Sequence, residues 1–115
     1  MGWKLTVRSG PHVERDRFAE LSSALTQLED RAQELAETAP RRPLDTKLKR
    51  FAPGEQVVAR LELAGPQRFG ASVRVGVDVH GDGSVQAYSG RVRREAILPG
   101  PSESPYAALR RTLDV

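Results

Sequence analysis

From Ala71 to Val79 every second residue is apolar: Ala71, Val73, Val75, Val77 and Val79 alternate with Ser72, Arg74, Gly76 and Asp78. A period of two sets the valines on one side of a β-strand and the polar residues on the other. Gly81-Asp82-Gly83 follows, which predicts a three-residue hairpin loop closed by glycine in the left-handed region. That loop fixes the register of the returning strand. His80 then faces Ser84, Val79 faces Val85, Asp78 faces Gln86, Val77 faces Ala87 and Gly76 faces Tyr88. The small and apolar sets line up on one side, and Tyr88 covers the bare backbone of Gly76. A slip by one residue would bury Arg74 and Asp78. A chain containing this hairpin is bound to an antiparallel sheet with one wet face, and its valine face needs a second layer.

The second layer is also present in the sequence. Phe18, Leu21, Leu25, Leu28, Ala32 and Leu35 recur at alternating intervals of three and four, the spacing of one apolar stripe on an α-helix. Pro40 ends the pattern, because proline has no N–H to donate and clashes with the preceding turn. The spacing predicts a helix over about 20–38. About two and a half heptads are too few for a free-standing coiled coil, so the stripe is expected to pack on the sheet.

Further strands are predicted on both sides of the helix. Trp3, Leu5 and Val7 alternate with Lys4, Thr6 and Arg8, and Ser9-Gly10-Pro11-His12 turns the chain. Val13 to Phe18 alternates weakly and can be read either as a returning hairpin strand or as a connection. After the helix, Leu44 to Phe51 alternates, and Val57, Ala59, Leu61 and Leu63 share one face of a strand that ends at the connection Ala64-Gly65-Pro66-Gln67. The strand after the Gly-Asp-Gly loop is expected to continue through Val92 to about Glu95. Leu98-Pro99-Gly100-Pro101 makes a rigid exit, and Ser102 or Ser104 can cap a short last helix with Pro105 in its first turn. Tyr106, Leu109 and Leu113 would face the core. The expectation is one α+β domain over 1–115. It is an antiparallel sheet of five or six strands with the long helix and the short C-terminal helix on one face, in the order β-(β)-α-β-β-β-β-α.

Composition narrows the function classes. The chain has 115 residues, of which 38% are hydrophobic and 29% charged, and no apolar run long enough to span a bilayer. The first residues lack the apolar stretch of a secretory leader. Cysteine is absent, which removes disulfides, thiolate metal sites and cysteine nucleophiles and leaves a cytoplasmic setting as the default. His12 and His80 both fall in predicted turns, and no Ser nucleophile elbow or Gly-rich phosphate loop is present. Asp78 to Gly83 partly follows a calcium loop, but Ser89 stands where a bidentate acid is needed. Neither an enzyme nor a cofactor or metal protein is indicated.

Charge distribution says more. Lys and Arg number 18 against 15 acids, and 15 of the 18 are Arg. Residues 19–38 carry five acids and one base, so the rest of the chain is at +7 within an overall +3. Arg60 and Arg74 are expected on the sheet face away from the long helix, with Glu62 and Asp78 beside them as structural ion partners. Lys47, Lys49, Arg50, Arg93 and Arg94 extend the basic set, with Tyr88 as its aromatic. Arg favours planar, bidentate contact to phosphate. The expected function is therefore a small non-catalytic binding protein that uses this face on nucleic acid. Two alternatives stand beside it: a protein-interaction or homodimerisation module, and a small-ligand carrier with a pocket between helix and sheet. No membrane role is expected.

Overall fold

A computed structural model describes residues 2–39, 44–45, 50–51, 56–68, 71–90 and 94–113. The chain begins with β1 (Trp3–Ser9) and β2 (His12–Phe18), a hairpin paired from Trp3 opposite Phe18 to Ser9 opposite His12. The weak alternation over 13–18 is thus a strand. Helix α1 (Leu21–Glu37) follows, within a residue of its expected bounds at each end. Two short segments, β3 (Leu44–Asp45) and β4 (Arg50–Phe51), pair only with each other. Then come β5 (Val57–Arg68), β6 (Ala71–His80), β7 (Val85–Ser89), β8 (Glu95–Ile97) and α2 (Pro105–Thr112). The main sheet is antiparallel and six-stranded, in the order β2-β1-β5-β6-β7-β8.

Three details differ from the sequence expectation. Of the stretch expected as a strand over 44–51, the described pairs Leu44–Asp45 and Arg50–Phe51 stand outside the main sheet. The place beside β1 that another strand would take is filled by β2. β5 does not stop at Ala64 but runs on to Arg68, taking up Gly65 and Pro66 with a register shift between Ala64 and Gln67. An irregularity of that kind lets a strand bend without ending. The last sheet strand does not reach Glu95 unbroken either. Gly90 has φ +101°, a conformation side-chain-bearing residues rarely adopt, and its N–H donates to the Arg74 carbonyl at 3.0 Å. The chain leaves β7 there, and β8 returns along it with Ser89 opposite Glu95.

The β6–β7 hairpin has the register deduced from the loop: Val79 faces Val85, Asp78 faces Gln86, Val77 faces Ala87 and Gly76 faces Tyr88. Gly83 closes the loop at φ +88°. The Asp82 carboxylate accepts from the Ser84 N–H at 2.9 Å and from its hydroxyl at 2.6 Å, which explains these loop residues as turn builders.

One face of the sheet makes the core. Leu5, Val7, Ala59, Leu61, Leu63, Val75, Val77, Val79, Ala87 and Ile97 are buried there against Ala24, Leu25, Leu28 and Ala32 of α1 and Tyr106, Ala108 and Leu109 of α2. Each buried Leu or Val contributes roughly 1.5–3 kcal/mol against its exposed state. The Ser104 hydroxyl caps α2 by accepting from the Ala107 N–H at 3.1 Å, with Pro105 in the first turn. Arg110 ties α2 to α1 through Glu29 at 2.6 Å. Both helices lie on the core side, and among the described residues no helix covers the other face of the sheet, the open face.

Candidate nucleic-acid interface

Because every pair is antiparallel and in known register, the open face is a grid of cross-strand rows. One row runs Arg17, Lys4, Ala64, Arg74. The next runs Arg15, Thr6, Glu62, Gly76, Tyr88, Ala96. The third runs Val13, Arg8, Arg60, Asp78, Gln86. The grid has two parts with different electrostatics.

Over β5, β6 and β7 the charges are matched. Arg60 and Asp78 face each other directly and form a two-pronged pair, Nε to Oδ1 at 2.7 Å and Nη2 to Oδ2 at 3.2 Å. Asp78 holds the Arg60 guanidinium above its ordinary pKa, against the opposing effect of burial. Arg74 reaches diagonally to Glu62, Nη1 to Oε1 at 2.6 Å. Arg60 and Arg74 therefore lie on the face away from α1, with the acids expected beside them.

Tyr88 lies at the far side of this matched region. A Cβ on Gly76 would come within 2.6 Å of the Tyr88 hydroxyl oxygen and would also strike the Leu61 carbonyl, so only glycine fits beneath the ring. The Arg94 guanidinium covers the ring at 4.7 Å from its centroid. Tyr88 is only 4% exposed, and burial pushes its hydroxyl up to about pKa 12. A ring enclosed in this way cannot stack on a base. Among the described side chains no other aromatic lies on the open face.

Over β1 and β2 the charges are not matched. Lys4, Arg8, Arg15 and Arg17 project on the open face, and among the described residues none of them has an ion-pair partner. Lys4 faces Arg17 directly, and Arg8 faces Arg60. Like charges opposite each other destabilise a sheet. The acids of β2 do not relieve them, because Glu14 and Asp16 fall in the other phase and face the helix side. There Glu14 accepts two hydrogen bonds from Arg31 of α1, at 3.2 and 2.9 Å, which lower its pKa. The strand is thus sorted by sign, bases on the open face and acids under the helix.

The remaining sequence candidates separate as follows. Lys47, Lys49 and Arg93 lie outside the described residues. Arg50 falls in β4, in the small separate sheet, where its side chain is also outside the description. The cluster that the fold assembles was not singled out in the sequence. Its signal was there: Lys4, Thr6 and Arg8 share one phase of the first strand. Arg15 and Arg17 join them only if 13–18 folds back after a two-residue turn.

Elsewhere, a shallow groove of about 600 Å³ lies between the end of α1 and the start of α2, with Gln33, Ala36, Val85 and Tyr106 in its walls. It corresponds to the pocket a ligand carrier would use, but it is open and brings no set of polar groups together. Among the described residues no helix is long and apolar enough to cross a membrane. Set against known proteins, the chain matches no family model, no curated protein and no solved structure.

Proposed function

We propose that this is a small non-catalytic binding protein that holds the backbone of a nucleic acid across β1 and β2. The observation that carries the reading is the set of four unpaired cations, Lys4, Arg8, Arg15 and Arg17, on one open face beside cations that are already paired. Each phosphate neutralised releases condensed counterions, so such a surface binds without base contacts. Arg60 supports the neighbouring sheet and is not a first contact, and Arg74 is held at the edge of the cation set by Glu62. A cytoplasmic setting belongs to the same proposal. The test is a fluorescence titration of a short duplex at several salt concentrations. At most four phosphate contacts, one per cation, give a slope of log Kobs against log salt no steeper than about −3.6, similar for unrelated sequences. Weak binding with no salt slope refutes the reading.

A second reading, a protein-interaction module, has its own supporting observation: β2 is a free edge, exposed along almost its whole length. The sorted charges restrict what can pair with it. When a strand continues a sheet antiparallel to its own copy, residues on the same face meet. Arg15 and Arg17 would then meet Arg or Val13, and Glu14 and Asp16 would meet acids or His12. Self-pairing across β2 is therefore disfavoured, and this edge argues for a partner of different sequence over a homodimer. Light scattering at low salt distinguishes the two, with a monomer expected.

A further inference from the structure

The grid of the open face leaves one depression. Thr6 and Ala64 are short side chains with long ones around them: Lys4 and Arg8 flank Thr6 along β1, Arg15 faces it across β2, and Arg74 faces Ala64 across β6. The result is a recess of about 130 Å³ lined by these residues and Glu62. That is the liquid share of roughly four waters, far below the ~300 Å³ at which sites for whole ligands begin. It has room for a group, not for a molecule.

The recess presents four cations against one carboxylate, and that carboxylate is engaged by Arg74 at 2.6 Å. Arg74 itself lines the recess, and Glu62 takes up only its Nη1 among the hydrogen bonds described. The Thr6 hydroxyl adds a neutral donor at the same place. Guanidinium forks, an ammonium and a hydroxyl converging on a space of a few oxygens suit a tetrahedral oxyanion carrying more than one charge.

We infer that this recess is the seat of a single phosphate group, gripped by Lys4, Thr6, Arg8, Arg15 and Arg74, with Glu62 holding Arg74 in position. The inference rests on the backbone-binding reading and sharpens it: one phosphate sits in the recess, and neighbouring phosphates lie on the exposed cations, Arg17 among them. A phosphate there also relieves the repulsion between facing cations, so it stabilises the fold as it binds.

The test is an amide-resolved NMR titration of the whole protein with inorganic phosphate. Ionic strength is held with chloride, and acetate serves as the carboxylate probe. Saturable shifts at Thr6, Arg15 and Arg74 are expected with phosphate and not with chloride or acetate. Arg15→Gln and Thr6→Val, both conservative on a strand, weaken phosphate about tenfold, the scale of losing one hydrogen bond to a charged group. Arg17→Gln, outside the recess, changes it less than threefold. Equal shifts with chloride or acetate, or equal effects of Arg15→Gln and Arg17→Gln, overturn the seat. If phosphate fails while duplex binding keeps its salt slope, the seat is wrong and the wider reading stands. If phosphate saturates while no duplex or single strand binds, the seat stands and the wider reading falls. A 5′-phosphorylated oligonucleotide set against its 5′-hydroxyl twin assigns the seat: tighter binding of the former means a chain end, equal binding an internal phosphodiester.

Discussion

Two adjoining regions of one sheet face treat the same residue type in opposite ways. Over β5 and β6 both arginines whose side chains are described have an acid: Arg60 grips Asp78 with two hydrogen bonds and Arg74 meets Glu62 at 2.6 Å. Over β1 and β2, Lys4, Arg8, Arg15 and Arg17 have no ion-pair partner among the described residues, although Glu14 and Asp16 share β2 with the last two. The contrast separates arginine used to build a surface from arginine left free to bind with it. The excess of arginine over lysine, 15 of 18, runs through both regions and does not decide which arginines receive partners. The pleat does that, by sending alternate residues of β2 to opposite faces.

If the matched region is structural, damage there must appear as lost stability. Tyr88→Ala removes a buried ring that Gly76 and Arg94 enclose, and it is expected to cost about 3–5 kcal/mol in urea unfolding. Tyr88→Phe is the control. The Tyr88 hydroxyl is buried without a hydrogen-bond partner, so its removal should be neutral or slightly stabilising. A loss of several kcal/mol in the Phe variant would mean that the hydroxyl is hydrogen-bonded in the folded protein.

If the unmatched region binds phosphates, damage there must appear in binding and not in folding. Arg15→Gln with Arg17→Gln is expected to flatten the salt slope, by up to about 1.8 if each takes its own phosphate. Both positions are exposed, and the change also removes the repulsion between Lys4 and Arg17, so unfolding should shift by no more than about 0.5 kcal/mol. A double variant that binds duplex with the original slope would place the contacts elsewhere on the protein.

The boundary between the regions can be moved. Asp78→Ala frees Arg60, which sits next to Arg8 in the same row. The pair is partly exposed, with side chains 37% and 17% accessible, so its loss should cost only about 1 kcal/mol of stability. The freed guanidinium joins the binding surface, and the salt slope should steepen by about 0.9. A variant that loses stability with no gain in slope would show that the cation cluster stops at β1.

How far these regions could be read in the sequence follows from the range of the forces involved. The valine run and the Gly-Asp-Gly loop fixed the β6–β7 register residue by residue, because alternation and turn geometry are local. From that register the Tyr88–Gly76 cover and the Arg74 placement followed, and the alternation of Val57, Ala59, Leu61 and Leu63 placed Arg60. The heptad-like stripe likewise placed α1. The unmatched cluster could not be read in that way. Its membership depends on β2 folding onto β1, and seven residues of mixed charge give almost no periodic signal. The same gap explains 44–51. Its alternation is genuine, but which strand gains a place in the sheet is settled by competition among distant segments, and β2 holds the place beside β1.

The sorting of β2 by sign can be tested from its other face. Glu14 accepts from Arg31, so its folded pKa lies below its unfolded value near 4.5. A depressed acid stabilises the fold fully above the unfolded pKa and loses that contribution as pH falls through the folded one. Glu14→Gln should therefore be less stable than the parent at pH 7, and the difference should close as pH drops below about 4.5. Glu14 is half exposed, which limits the difference to a few tenths of a kcal/mol. Urea midpoints at pH 7 and pH 3 measure it. Binding gives the sharper comparison. Glu14 faces the helix and touches no phosphate in the proposed complex, so the variant should keep the parent's salt slope at pH 7 even though it gains a positive charge overall. A steeper slope would mean that Arg31, released from Glu14, reaches the nucleic acid around the β2 edge, and that the two faces of this strand act as one surface.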